Sequence, residues 1–213
     1  MMAALLLTSA PALAQQQSSE APPPSETAEY SAPGAISIRN PVLRGRSVFI
    51  SQIGSGNLAT VDQQASVAHA DVRQDGDRNS AKVTQREDAR SFAELSQRGA
   101  DNDAAATQRG SGANTLFVQQ QGNSNRARAV QDAATGTDNG AIMAQMGVGN
   151  DMTLSQSGAD NQAVLVQNGD DNAMTARQDG GGNRLVWTQN GNGLSNLAIA
   201  QSGGQAMQIT QSR

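Results

Sequence analysis

The sequence predicts an all-β protein, a two-sheet, amyloid-like β-solenoid with about seven strand–turn–strand rungs of about 22 residues. Glutamines recur at gaps of 22 to 25 residues, and fixed self-similarity of this kind is the signature of a repeat architecture. Apolar residues make up only 37% of the 213 residues, too few for a conventional globular core. All six prolines lie at or before Pro41. Because proline is excluded from paired strand interiors, the proline-free remainder is suited to strands.

Two sets of glutamines alternate along the repeat region and divide each rung into two units. The first set is Gln52, Gln74, Gln97, Gln120, Gln145, Gln167, Gln189 and Gln211. The second set follows about eleven residues after each of these and is Gln63, Gln85, Gln108, Gln131, Gln156, Gln178 and Gln201. Each half of a rung is therefore expected to be one strand followed by one tight turn.

A fixed turn sequence follows the first set of glutamines. It reads Gln-x-Gly-x-x-Asn-x-(Ala or Met)-x-x-x-Gln in six clean copies. Their turn residues are Gly54 and Asn57, Gly76 and Asn79, Gly99 and Asn102, Gly122 and Asn125, Gly147 and Asn150, and Gly169 and Asn172. In a seventh, looser copy after Gln189, Asn196 arrives two residues late. Glycine followed by Asn, Asp or Gly marks the point at which the chain reverses.

Alternation within each strand predicts which side chains face the core. If every glutamine faces inward, the residues two and four positions before it lie on the same face. The resulting pairs include Val48 and Ile50, Ala59 and Val61, Ala81 and Val83, Leu116 and Val118, Met152 and Leu154, Ala163 and Leu165, Leu185 and Trp187, and Met207 and Ile209. Trp187 and Phe117 are both expected at inward positions, as packing residues. Inward Gln and Asn side chains are expected to bond the copies above and below as amide ladders.

The residues before the repeats divide into two segments. Residues 1–14 are apolar and end in Ala12-Leu13-Ala14, which is typical of a signal peptide and its cleavage site. Residues 15–43 are polar and proline-rich, and we expect a disordered or extended secretion leader there. The solenoid is expected to occupy residues 44–213.

Composition and spacing argue against several classes of function. No spacing pairs a nucleophile with a base, and Asp101 and Asp160 fall in turns, where Asp is favoured for local hydrogen bonds. The chain has no cysteine and only one histidine, His69, and its eleven-residue unit does not fit the nine-residue calcium β-roll. We expect no enzyme activity and no catalytic, metal or cofactor residue. A net charge of −4 without a basic patch argues against nucleic-acid binding, and after the signal no segment is long enough to span a bilayer.

The repeat resembles that of the curlin family, the subunits of bacterial curli. The pattern is Ser/Asn-x5-Gln-x-Gly-x-x-Asn-x-Ala-x3-Gln, and it covers roughly residues 46–211. The leading polar residues here are Ser91, Asn114, Asn139, Asn161 and Asn183. The resemblance implies a structural subunit of an extracellular amyloid fibre on the cell surface, serving biofilm matrix and adhesion. It also implies export by a Sec signal through the periplasm, and three partners: copies of itself, a second curlin-type subunit and the outer-membrane curli secretion pore.

Several departures from the family pattern leave its exact role open. Glycine is missing after Gln63, Gln85 and Gln131, and residues 133–137 form an insertion. Fifteen charged residues fall between Asp71 and Arg109, and these are either gatekeepers against early pairing or a solvated outer face. The chain is therefore a fibre-building subunit, a minor nucleator of the same fibre, or a monomeric secreted β-solenoid adhesin. The first of these rests on terminal rungs whose backbone edges are open.

Overall fold

The molecule is a two-sheet β-solenoid. The computed structural model describes residues 5–8, 37–87 and 89–213, and within them it contains sixteen strands and no helix. Sheet A contains β1 (Leu5–Thr8), β3 (Leu58–Gln63), β5 (Ser80–Gln85), β7 (Asp103–Gly110), β9 (Arg126–Ala133), β11 (Asp151–Ala159), β13 (Ala173–Gly181) and β15 (Ala198–Ser202). Sheet B contains β2 (Arg46–Ile53), β4 (Val67–Asp77), β6 (Arg90–Ala100), β8 (Ala113–Asn123), β10 (Asp138–Val148), β12 (Gln162–Asn168), β14 (Arg184–Asn190) and β16 (Ala206–Ser212). The predicted fold class is confirmed.

Successive strands of the solenoid alternate between the two sheets. One even-numbered and one odd-numbered strand make a rung, so β2 to β15 form seven rungs and β16 begins an eighth. Neighbouring rungs pair in parallel with the glutamines aligned, as when Gln52 lies beside Gln74 and Gln63 beside Gln85. Parallel strands stand about 4.8 Å apart. The glutamine period therefore sets the register of the whole stack.

The core is a narrow layer between the sheets, filled by the residues two and four positions before each glutamine. Leu116, Leu154 and Trp187 are fully buried there, and so are small residues such as Ala59 and Ala163. The predicted pairs named above are buried wherever a strand has neighbours on both sides. Those on the end strands β2 and β16 have neighbours on one side only, so Val48 is 46% exposed and Ile50, Met207 and Ile209 are only partly buried.

Phe117 is not where the sequence analysis placed it. It lies three residues before Gln120, and an odd offset from an inward residue turns a side chain to the opposite face of the sheet. Phe117 is half-buried on the outer face of sheet B and packs against Phe92 with ring centroids 5.4 Å apart. Phe92 in turn stacks on His69 at 5.2 Å. The three rings form an outer-face aromatic row over β4, β6 and β8. The inward prediction for Phe117 was wrong.

The four edges of the stack differ. Sheet B ends on β2 and β16, and sheet A ends on β15 at one side. At the other side β1 pairs antiparallel with β3, with Leu5 opposite Val61 and Thr8 opposite Leu58. The expectation that both terminal rungs have open edges therefore needs a correction: while β1 is in place, the β3 edge is covered.

Parts of the predicted N-terminal organisation lie outside the described residues. The predicted signal peptide, 1–14, is described only at the backbone of 5–8, and of the predicted leader, 15–43, residues 15–36 lie outside. The described end of the leader, 37–43, has no regular secondary structure, and Ile38 within it is only 6% exposed. This segment contacts the outer face of sheet B.

Candidate functional site: amide ladders and strand edges

The first-set glutamines form a continuous side-chain ladder on the inner face of sheet B. From Gln52 to Gln211, each Nε2 donates to the Oε1 of the glutamine in the following rung, over 2.6–2.9 Å. From Gln74 to Gln189, Nε2 also donates to a backbone carbonyl of the facing strand in sheet A. All seven side-chain bonds point the same way, so the ladder has a direction.

The second-set glutamines form a matching ladder on sheet A. From Gln63 to Gln201, six Nε2-to-Oε1 bonds of 2.8–2.9 Å join successive rungs in the same direction. Nε2 of each also donates to a carbonyl of sheet B, as from Gln131 to Thr115. An unpaired buried amide is costly. Stacking pairs these amides and also fastens the two sheets to each other.

The turn asparagines form a third ladder at the corner of each rung. From Asn57 to Asn172, each Nδ2 donates to the carbonyl of the turn glycine in the next rung, over 2.7–2.9 Å. Their Oδ1 atoms accept the backbone N–H of the next asparagine at 2.9–3.2 Å. The ladder stops at the loose copy, where Leu194 supplies the N–H to Asn172. The late Asn196 instead donates to Thr175 on the surface.

Each turn glycine lies against the next turn. The six glycines from Gly54 to Gly169 have φ between 104° and 123°, a region that favours glycine. A Cβ built on any of them would lie 2.0–2.2 Å from the carbonyl oxygen of the glycine one rung on. Glycine is required here for its conformation and also because no side chain fits between two stacked turns.

The leading asparagines of the repeat form a fourth polar ladder, which was not predicted. At the leading position of the repeat, Asn139 Oδ1 accepts the backbone N–H of Asn161 at 3.0 Å, and Asn161 Oδ1 accepts Nδ2 of Asn183 at 2.9 Å. In the earlier rungs, Ser91 Oγ and Asn114 Oδ1 are buried without a hydrogen-bond partner among the described residues. The leading Ser/Asn of the motif was the available signal. The insertion at 133–137 lies between the unpaired and the paired members of this ladder.

The charged residues lie on the outer faces and turns, where many pair across rungs. Arg78 contacts Asp101 at 2.7 Å, and Arg109 contacts Asp132 at 2.9 Å. The Arg78 guanidinium lowers the pKa of Asp101 through a hydrogen bond. Exposed pairs of this kind contribute little to stability. Their position agrees with a solvated outer face, whereas the gatekeeper role stays a prediction.

Asp71 differs from the other acidic residues that the structure describes because it is buried. Its side chain contacts Arg73 at 2.7 Å, but its Oδ1 has no partner among the described residues. Burial raises the pKa of this carboxyl, while the positive charges of Arg73 and His69 partly oppose the shift. A raised pKa means that the folded state holds the proton more tightly than the unfolded chain does. Stability is therefore expected to rise as pH falls through the raised pKa of Asp71.

Substitution of Asp71 by asparagine is expected to raise the free energy of unfolding at about pH 7, where the buried carboxylate is ionised. The variant is also expected to lose the gain in stability that wild type shows between about pH 7 and pH 4. Denaturant unfolding at both pH values measures the two effects. Asp75→Asn, at an exposed position on the same strand, is the control. A less stable Asp71→Asn at neutral pH would show that the Arg73 pair outweighs burial.

Within the described part of the chain, no three His, Cys, Asp or Glu residues come together as a metal site, and no helix there is long and apolar enough to cross a membrane. A model of the curlin associated repeat matches residues 47–86 and 147–180. These two matches support membership of the curlin family. The curlin repeat supports a curli-type fibre subunit in general, which is a structural role. No curated protein and no solved structure matches it.

The curlin rung also continues through the part that the repeat model does not match. Between residues 89 and 146 the strands, both glutamine ladders and the turn asparagines keep their places. What differs is the connections: Arg86 and Glu87 follow Gln85 in place of a glycine turn, and Gly136 lies in the insertion. The strands and side-chain ladders of the solenoid are therefore more regular than the connections between its strands.

Proposed function

We propose that this curlin self-assembles end to end into an extracellular amyloid fibre that serves biofilm matrix and surface adhesion. The observation that carries the proposal is the common direction of the two glutamine ladders. At the β16 end, Nε2 of Gln211 has only a 3.4 Å contact with Ser195 O. At the other end, no donor among the described residues contacts Oε1 of Gln52. One end therefore offers a donor and the opposite end an acceptor.

This polarity favours stacking of unlike ends. Two identical ends would place donor against donor or acceptor against acceptor along the ladder, leaving amides unpaired at a buried junction. Unlike ends continue the ladder from Gln211 to Gln52 of the next copy. Head-to-tail contacts between non-identical surfaces do not close, and they generate filaments.

The edge strands support the same register. With Gln211 beside Gln52 of the next copy, Met207 and Ile209 lie beside Val48 and Ile50 of that copy. These four side chains are only partly buried in the single chain. Burying them at about 25 cal/mol per Å² of apolar surface favours the junction, and the open edges of β2 and β16 supply the backbone hydrogen bonds.

Strand β1 affects when assembly can begin, because it covers one edge of the solenoid. It lies within the predicted signal peptide and covers the β3 edge of sheet A. We expect removal of residues 1–14 to free this edge. Export by the Sec route and periplasm, passage through the curli secretion pore and pairing with a second curlin-type subunit are part of the proposal and rest on the resemblance to the curlin family.

Assembly of purified residues 15–213 tests the proposal. Monomer is expected to form thioflavin-binding fibres after a lag, and electron microscopy should show filaments with cross-β spacing of about 4.8 Å. The full 1–213 chain is the comparison, and we expect it to assemble more slowly. A soluble monomer that persists for days would contradict fibre assembly and favour the monomeric adhesin. Growth only from added seeds of another curlin would contradict self-assembly.

A further inference from the structure

The outer face of sheet B contains a second site, formed where the chain's own N-terminal segment crosses it. Ile38 donates its backbone N–H to Oε1 of Gln162 at 2.8 Å, across 124 residues of sequence. Nδ2 of Asn40 donates to the carbonyls of Arg90 and Asn114, both at 3.0 Å. The segment Ser37–Asn40, called the strap below, thus contacts β6, β8 and β12.

Gly140 is the residue that makes room for the strap. A Cβ built on Gly140 would lie 2.6 Å from Cβ of Ile38 and 2.7 Å from its carbonyl oxygen. Unlike the turn glycines, Gly140 does not have a positive φ, so its backbone conformation does not require glycine. Glycine inside a strand weakens it and often marks a close approach of another backbone. Here the approaching backbone is that of Ile38.

Burial singles out the same place. Gly140 lies in a column of register-aligned, outward-facing positions, one on each strand of sheet B. On the other strands this column holds Ser47, His69, Phe92, Thr115, Gln162, Arg184 and Ala206. Outward residues of a sheet are normally solvated, yet Thr115 is 1% exposed and Gln162 is 7% exposed. Gln162 uses both ends of its amide, because Nε2 also donates to the carbonyl of Asp138. The column is covered only in the rungs that the strap crosses.

The path of the strap runs along the stack. Ile38 contacts β12, and Asn40 contacts β8 and β6. The chain then reaches Gly45, whose carbonyl accepts the N–H of Ala68 on β4. Four strand spacings of about 4.8 Å are about 19 Å, and seven extended residues span at most about 25 Å. The segment is therefore nearly extended and roughly perpendicular to the strands.

We propose that Gly140, Gln162 and the carbonyls of Arg90 and Asn114 form a binding site for an extended peptide of the pattern Ile-x-Asn, with the strap as its resident ligand. In a solenoid each rung otherwise contacts only its neighbours, so rungs can open separately. The strap joins β12 to β4 directly. It makes the opening of these rungs cooperative. This role holds in the single chain and does not depend on fibre assembly.

Hydrogen exchange of the freshly purified, monomeric full chain tests the site. The Ile38 amide is expected to be protected, and Gly140→Ala is expected to speed its exchange about tenfold or more, as for loss of one buried hydrogen bond. Gly181→Ala is the matched control, since Gly181 also lacks a positive φ and an added Cβ would have 3.4 Å of clearance. We expect this control to leave the Ile38 exchange rate unchanged.

A second pair of variants leaves the strands untouched. Ile38→Asn places a polar group in the buried position and is expected to release the strap, whereas Ser37→Asn at the exposed neighbour is not. Exchange at Leu116 and Met143 reports the solenoid itself, so a variant that unfolds is recognised as such. Trypsin is likewise expected to cleave after Arg39 faster in Ile38→Asn than in Ser37→Asn. An Ile38 amide that exchanges in wild type like an unstructured peptide, or that ignores both releasing variants, would overturn the proposal.

Discussion

Replacing Gln120 by alanine is expected to lower the free energy of unfolding by about 3–9 kcal/mol, because three buried groups lose their partners at about 1–3 kcal/mol each. Gln120 accepts from Gln97 at 2.8 Å and donates to Gln145 at 2.9 Å and to the carbonyl of Asp103 at 3.2 Å. Alanine removes all three bonds from the middle of the ladder. Denaturant unfolding of the monomer measures the loss.

The adjacent Gln119 provides the control for this substitution. It lies on the same strand but faces outward and is exposed, so Gln119→Ala is expected to change stability by less than about 0.5 kcal/mol. The two variants remove the same atoms one residue apart. Equal losses for both would show that the ladder does not stabilise the solenoid.

Replacing Gly122 by alanine is expected to cost about 3–5 kcal/mol, combining strain at positive φ with displacement of the neighbouring turn. Its φ is 113°, and the added Cβ would lie 2.0 Å from the carbonyl oxygen of Gly147. The turn cannot relax without moving the next rung, because the Gly147 carbonyl also accepts from Asn125. Thermal or denaturant unfolding gives the loss.

Gly136 separates the two contributions at Gly122. Its φ of 75° is also positive, but no atom lies within 4 Å of a Cβ built on it. Gly136→Ala is therefore expected to cost only the conformational strain, about 1–2 kcal/mol. A loss at Gly136 as large as that at Gly122 would mean that backbone conformation alone, and not stacking of turns, requires the glycine.

Most features of the solenoid could be predicted from the sequence, because each rung repeats the same sequence pattern. Glutamine period, rung length and inward pairs such as Leu116 and Val118 all follow from one rule, alternation counted from an inward residue. Phe117 was misplaced by departing from that rule, since its odd offset from Gln120 assigns it to the outer face. The direction of the ladders could not be predicted, because donor and acceptor ends of an amide are decided only by the neighbouring rung.

The contacts of the N-terminal segments could not be predicted for a different reason. Ile38 and Gln162 are 124 residues apart, and neither belongs to a motif. Gly140 looked like one more glycine in a glycine-rich chain, although it lacks the positive φ of the turns. Pairing of Leu5–Thr8 with β3 likewise joins a non-repetitive segment to a repeat. Periodicity carries no signal for contacts that are made only once.

The register of the junction between copies is the central claim, and cysteine cross-linking measures it most directly. The chain has no cysteine of its own, and the proposed register places Thr210 beside Ser51 of the next copy, about 4.8 Å away between Cα atoms. That separation lies within the range of a disulfide. Fibres of Ser51→Cys/Thr210→Cys, assembled reduced and then oxidised, are expected to give a ladder of covalent multimers under denaturing conditions.

Two controls define the result. Ser51→Cys/Gln208→Cys shifts the pair by two residues, to about 8 Å between Cα atoms, beyond the reach of a disulfide, and it is expected to stay monomeric under the same conditions. Either single variant alone should also remain uncross-linked. A multimer ladder confined to Ser51→Cys/Thr210→Cys is the result that end-to-end, in-register stacking predicts. Dimers from a single variant, or cross-linking of the shifted pair in its place, would contradict it.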